Sequence, residues 1–399
     1  MRNSKPSSLP NRALGAMLFA RTVSNINYRI VYPFLPAIAR GLDVSLEAAG
    51  RLVSIQGGIG LVAPLFGHLS DRYGRRWMME IALLLLAVAS GLVYVVEAYV
   101  PVLFAFAGIG IAKALYDPAM QAYVGDVVPY ARRGRIIAIT ELAWSFAWLF
   151  GVPIAGLLIE RTGWQAPWAM IAILALLGAA ATHWFLPSAR RIDGQEGTDA
   201  PASWWELLHH NPIRAALFTA FGMLFAIENV FIVYGAFLED RFGLAIGAIG
   251  VVSVVIGIAE LLAEGGAAAW TDRLGKKRSI IMGLLTFAAS LLLLATLSGQ
   301  LVTVLGSFAL AILFFEFTIV SFLPLMTELA PAARATLLSM NIAAMGLGRL
   351  FAPILGTTLY ERMGSLLPNT LLSALVCLFC AFVMWRGVEE VEEDLLSVR

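Results

Sequence analysis

A charged turn occurs twice in this chain, each time between two long apolar runs. The first copy is Gly67-His68-Leu69-Ser70-Asp71-Arg72-Tyr73-Gly74-Arg75-Arg76, and the second is Trp270-Thr271-Asp272-Arg273-Leu274-Gly275-Lys276-Lys277. A glycine, an aspartate, an arginine and a basic pair in so little space form a tight polar turn at a membrane surface. One basic loop would only fix topology. Two copies at a single offset indicate a duplicated architecture.

The rest of the chain agrees with a lipid solvent. It is 59% hydrophobic and 14% charged, with a mean hydropathy of +0.80, more apolar surface than a water-soluble fold can hide. A window of about 20 residues gives twelve spans, near 12–38, 48–69, 77–96, 101–125, 135–159, 166–186, 213–238, 248–269, 279–298, 301–328, 336–360 and 366–387. The expectation is an all-α polytopic membrane protein. The one long polar stretch between spans divides it into a six-helix bundle (1–186), a linker (187–212), a second six-helix bundle (213–387) and an acidic tail (388–399). Within the linker, Trp204 and Trp205 should lie at the headgroup level, where indoles are favoured. The polar N-terminus lacks the order of regions that marks a signal peptide. With that terminus inside, 19 Lys and Arg fall on the cytoplasmic side, five outside and four within spans. The positive-inside rule therefore places both termini in the cytoplasm, in a cell (inner) membrane.

The halves match at an offset of 200–202 residues: Asn27 and Tyr32 with Asn229 and Tyr234, Asp71 with Asp272, Asp126, Pro129 and Arg132 with Glu328, Pro331 and Arg334, and Pro153 and Gly156 with Pro353 and Gly356. Parallel six-helix repeats are one transporter plan. The chain resembles the major facilitator superfamily over its whole length. The turn Gly67–Arg76 follows that family's loop between helices 2 and 3. Gly125-Asp126-Val127-Val128-Pro129 with Arg132-Arg133-Gly134 after helix 4, and Gly163-Trp164-Gln165-Ala166-Pro167-Trp168 before helix 6, fit as well. The resemblance implies two bundles related by a pseudo-twofold axis, with helices 1, 4, 7 and 10 around a central cavity. It also implies a conformational latch from Gly67, Asp71, Arg72, Gly74, Arg75 and Asp126, and from Asp272, Lys276 and Glu328 in the second half. In that latch Asp71 sits at the N-terminus of helix 11, whose dipole favours an anion, Arg75 reaches Asp126, and Lys276 reaches Glu328. The helix 5 pattern of antiporters survives only as Gly151, Pro153 and Gly156, with Val152 in place of a glycine. It favours efflux slightly over uptake.

Away from the terminal turns of the spans, ten charged residues remain: Arg21, Arg29, Lys113, Asp117, Glu141, Glu228, Glu260, Glu264, Glu316 and Arg349. None lies in spans 3, 6, 9 or 12. Charges facing lipid at the bilayer centre cost about 2.5–3.5 kcal/mol each on the insertion scale, so these face an interior. Arg21, Asn25, Tyr28, Arg29 and Tyr32 share one helical face, as do Lys113, Asp117 and Gln121. Glu141, Ser145 and Trp148 form a third stripe, and Asn341, Met345 and Arg349 a fourth. The substrate-binding candidates are Asn25, Tyr28, Arg29, Tyr32, Lys113, Tyr116, Asp117, Trp144, Trp148, Asn229, Asn341 and Arg349. Lys113 and Asp117, one turn apart, can also pair with each other. An anionic group is one expected ligand for Arg29 and Lys113. The proton-coupling candidates are Glu228, Glu316, Glu260 and Glu141, with Glu228 first because no basic residue lies within a turn of it. Glu316 is second, since Arg349 could neutralise it.

No phosphate-cradling loop or nucleophile–base set occurs, so an enzyme is not expected. The four histidines lack metal-ligand spacing on a buried face, and Cys377 and Cys380 read as apolar filler in the last span. No metal, cofactor or nucleic-acid partner is expected. The sequence reads as a monomeric secondary transporter for a small amphipathic or partly ionic solute, working by alternating access with protons as the coupling ion. A lipid or glycolipid flippase on the same fold, and a membrane sensor without transport, are the alternative functions.

Overall fold

The computed structural model describes residues 9–62, 73–187, 204–330 and 333–388. Among these the chain is helical throughout. The first six-helix bundle comprises α1 (Asn11–Gly41), α2 (Leu46–Gly58, extended by a tight turn Ile59–Leu61), α3 (Arg75–Val95), α4 (Tyr99–Val127), α5 (Tyr130–Glu141, Ala143–Phe146, Ala147–Gly151 and Val152–Thr162) and α6 (Ala166–Phe185). A short helix Trp204–Leu208 leads into the second bundle. That bundle comprises α7 (Asn211–Phe231 and Tyr234–Phe242), α8 (Ile246–Val252 and Val254–Leu274), α9 (Lys276–Thr296), α10 (Leu301–Leu329), α11 (Arg334–Met363) and α12 (Leu367–Gly387). Among the described residues, ten helices are long and apolar enough to cross a membrane.

The helices start and stop for local reasons. Ser45 caps α2 by accepting the Ala48 N–H at 3.1 Å, satisfying a donor that has no partner within the helix. Gly74 (φ +96°) and Gly275 (φ +85°) precede α3 and α9 at equivalent points of the two halves, a backbone that glycine adopts without strain. The sequence reads α5 and α7 as unbroken. Instead, α5 carries a π-helical turn at Ala147–Gly151, and α7 is interrupted between Phe231 and Tyr234. π turns of this kind cluster at functional sites. The break in α7 faces one in α8, where the Ser253 hydroxyl donates to the Ile249 carbonyl (2.7 Å) and lies 3.2 Å from the Tyr234 hydroxyl. Such back-bonding loosens a helix.

The bundles meet through small residues, which let helix backbones approach closely. Gly235 of α7 lies against the backbone of Pro33 in α1 with no room for a β-carbon. A β-carbon on Gly156 of α5 would lie 3.2 Å from Gly250 of α8, and one on Gly50 of α2 would lie 2.7 Å from Thr357 of α11. All three contacts lie in the half of the membrane away from the chain ends. Arg40 and Glu239 pair across the bundles there (2.8 Å), and the Leu46 N–H donates to Glu361 (2.6 Å). Between this plug and the face carrying the chain ends lies the polar interior.

Candidate functional site

A cavity of about 190 Å³ lies between the bundles. Its polar wall is built by α1 (Arg29, Tyr32), α5 (Glu141, Trp144), α7 (Glu228), α8 (Glu264), α10 (Glu316) and α11 (Arg349), and Phe231 and Phe315 are among its apolar residues. It runs from the plug toward the chain-end face, where Leu323 of α10, 45% exposed, marks the rim.

The charges in and around the cavity fall into three groups. Arg21 donates to both Glu141 oxygens (2.7 and 3.0 Å) and lies 3.7 Å from Asp117. Asp117 is also bound to Lys113 at 2.9 Å, and the Lys113 ammonium donates to Asn25 Oδ1 at 2.5 Å. In the second group, Arg29 pairs directly with Glu260 and lies 3.9 Å from Glu316. The third joins Arg349 to Glu228 (3.3 Å), with the Tyr32 hydroxyl donating to the other Glu228 oxygen at 2.7 Å. Trp144 stands between the first two groups: the Lys113 ammonium is 4.4 Å and the Arg29 guanidinium 4.6 Å from its ring centroid. Both distances allow cation–π attraction.

Four cations face six carboxylates: Asp117, Glu141, Glu228, Glu260, Glu264 and Glu316. The imbalance centres on Arg29, which serves two acids, and on Glu264, one of whose oxygens is buried without a partner. Unpaired charge is costly away from water, so an interior with surplus carboxylates draws protons or a cationic ligand.

Several sequence expectations are corrected here. Glu228 does not stand alone, because α11 crosses α7 and delivers Arg349. Arg349 is thereby spent on Glu228 and does not neutralise Glu316, whose cation is Arg29. Neither Arg29 nor Lys113 is left free for an anion, since each is held by carboxylates from its own or another helix. Asn229 turns away from the cavity and donates to Asn369 O (3.0 Å) and Ser373 Oγ (2.9 Å) on α12. Tyr116 donates to the Met17 carbonyl at 3.2 Å inside the first bundle. Trp148 is fully buried, its ring 6.4 Å from that of Phe231 and 5.5 Å from the Arg29 guanidinium. Asn341 is buried on α11, its amide 3.9 Å from the Met345 sulfur. Tyr28 lies beside Lys113, with the ammonium 5.7 Å from its ring.

Of the latch residues, Arg75 lies 3.4 Å from Asp126, and Lys276 bonds to Glu328. Each pair stays within its own bundle. Gly67, Asp71 and Arg72, and the side chain of Asp272, lie outside the described residues. One buried acid escapes the sequence reading because it sits in the first turn of a span. Glu80 of α3 accepts from Arg76 at 2.8 Å and lies 3.3 Å from His183 of α6. Arg76 also donates to the Leu186 carbonyl (2.9 Å), holding the end of α6 against α3. The i,i+4 spacing of Arg76 and Glu80 was the available signal. The cavity phenylalanines had none, being apolar residues among many.

Among the described residues, two six-helix bundles enclose a charged cavity, the plan of a secondary membrane transporter. The family model described as Major Facilitator Superfamily matches residues 17–263 and 216–397. The chain belongs to this superfamily. It is similar to Multidrug resistance protein 2 of Bacillus subtilis (24% identity, covering 85% of this chain and 86% of the relative). It is also similar to the class C tetracycline resistance protein of Escherichia coli (30% identity, 71% and 74%). Among solved structures, the D-xylose-proton symporter shares the fold with a TM-score of 0.74 at 19% identity, covering 96% of this chain and 97% of that one.

Proposed function

We propose that this protein exports small amphipathic cations in exchange for protons. The observation that carries the reading is the charge imbalance: Glu260 and Glu316 converge on the single cation Arg29, and Glu264 adds a third acid on the same side. Protons neutralise the surplus when the cavity is empty. A cationic substrate displaces them, and Trp144, Phe231 and Phe315 contact its apolar body. Competition between proton and substrate for the same carboxylates is the physical basis of antiport. The drug-resistance names of two relatives agree with a drug-like substrate.

Glu260 and Glu316 are the primary coupling pair, and Glu228 and Glu141 hold Arg349 and Arg21 in place. With both termini cytoplasmic, as the Lys and Arg distribution indicates, the cavity faces the cytoplasm and loads substrate from there. Reorientation proceeds by rocking of the bundles about the midplane. Arg75 with Asp126, and Lys276 with Glu328, brace the cytoplasmic turns that close when the far side opens. One chain holds the complete cavity, so it works as a monomer. The test is ethidium transport in proteoliposomes under an imposed pH gradient. Ethidium should accumulate in the compartment of lower pH, and Glu316→Gln should abolish that accumulation. Accumulation by the wild type that ignores the gradient would refute proton exchange.

A further inference from the structure

Behind the cavity, in the first bundle, a cluster of buried polar groups has fewer partners than it can bond. Gln56 of α2 is 2% exposed, and neither its Oε1 nor its Nε2 has a hydrogen-bond partner. Asn25 of α1 is fully buried, with Oδ1 accepting from Lys113 and Nδ2 unpartnered. The Tyr28 hydroxyl reaches the Gln56 carbonyl at 3.5 Å, a distance at the outer limit of a hydrogen bond. Buried amides are nearly always bonded, and one with both ends open is a standing cost to folding. A leucine at position 56 would occupy similar space without that cost.

The cluster adjoins the cavity through two continuous contacts. Gly57, the next residue in α2, packs against the stem of Arg349, whose head lines the cavity. Lys113 joins Asn25 to the Trp144 ring, and Trp144 is itself a cavity residue. On α4, Gly110 gives Gln56 its place: a β-carbon there would come within 2.5 Å of the Gln56 carbonyl oxygen.

We infer that Gln56 and Asn25 form a subsite, extending the cavity past Trp144, for an uncharged hydrogen-bonding group of the substrate: an amino, amide or hydroxyl function. The carboxylates select the charge of the ligand, and this subsite selects among cations by what their apolar bodies carry. A glutamine serves either polarity, because its Oε1 accepts and its Nε2 donates. The Asn25 Nδ2, likewise buried and unpartnered, offers a second donor. The inference rests on the cation reading above and adds to it the residue that discriminates between cations.

The test compares two aromatic cations on the purified full chain. Ethidium carries two amino groups, whereas tetraphenylphosphonium has no hydrogen-bonding group. Gln56→Leu should weaken ethidium binding about tenfold, the equivalent of about 1.4 kcal/mol, and leave tetraphenylphosphonium within about twofold. Gln56→Met, which keeps an unbranched chain of similar length, should behave alike. Thermal stability should be unchanged or higher in both variants, since an unbonded amide has been removed. Equal loss of both cations, or a drop in stability with no discrimination, would assign Gln56 a purely structural role and overturn the subsite. If the wild type binds both cations and the variants distinguish neither, the subsite alone falls. If the wild type binds neither cation, the cation reading falls and takes the subsite with it.

Discussion

Replacing Arg29 with glutamine removes the cation that Glu260 and Glu316 share. Glu260 is 1% exposed and pairs with Arg29 directly, while Glu316 stands 3.9 Å away. At an effective dielectric of about 20, a pair of unit charges at that distance interacts by about 4 kcal/mol. Stripping one partner from a buried pair costs about 3–5 kcal/mol overall, because the other charge stays desolvated. At about 1.2 °C per kcal/mol for a chain of 399 residues, Arg29→Gln should lower the apparent Tm in detergent by about 4–6 °C near neutral pH. Protons can stand in for the missing guanidinium, so the deficit should shrink at pH 5 and widen at pH 8. The Arg29→Gln, Glu260→Gln double variant removes both members of the direct pair and should recover at least half of the loss. The coupling energy from the full double-mutant cycle isolates the interaction from the packing of the arginine stem on Trp144. A double variant no more stable than Arg29→Gln alone would show that Arg29 does not serve Glu260, and the charge count behind the proposed mechanism would fail.

The plug offers a second test. Gly235→Ala places a β-carbon against the Pro33 backbone, so spin labels at Ala98→Cys and Gly299→Cys, on opposite bundles and in a background lacking Cys377 and Cys380, should move apart; an unchanged distance would refute the role of this contact. Glu228→Gln breaks the pair with Arg349, but Arg349 is 36% exposed, and solvent should limit the loss to about 1–2 kcal/mol; a drop in apparent Tm of about 1–2 °C with coupled transport intact is expected, and loss of coupling would return Glu228 to the proton site. Asn229→Leu deprives the Asn369 carbonyl and Ser373 of their donor and should cost about 1–3 kcal/mol while leaving ethidium affinity unaltered; a change in affinity would place Asn229 in the cavity after all.

Much of the architecture was legible because membrane spans are long, apolar and periodic, and because the duplication repeats its landmarks. Gly74 and Gly275, one turn in each half, are the clearest case: the repeated motif predicted a tight turn, and both glycines take positive φ. Of the helical stripes, Arg29, Tyr32, Glu141 and Arg349 line the cavity. Sequence spacing within one helix could not identify partners, however, because those come from other helices. Glu228 looked isolated along α7, yet Arg349 reaches it from α11. Gln56 carried no signal at all, since one amide in an apolar helix looks like any other until its lack of partners is seen. The break in α7 at Ile232–Val233 was silent, whereas the π-helical turn Ala147–Gly151 had a cue in Pro153, which offers no N–H to the Leu149 carbonyl four residues back.

The central claim is that protons and a cationic substrate compete for one set of carboxylates, and proton release on binding tests it most directly. Purified protein in weakly buffered detergent, near pH 7, is titrated with ethidium while a pH indicator reports the solution. The account predicts release of about one proton per ethidium bound, lost when Glu260 and Glu316 are both changed to glutamine. Saturable binding of ethidium with no proton released would contradict it.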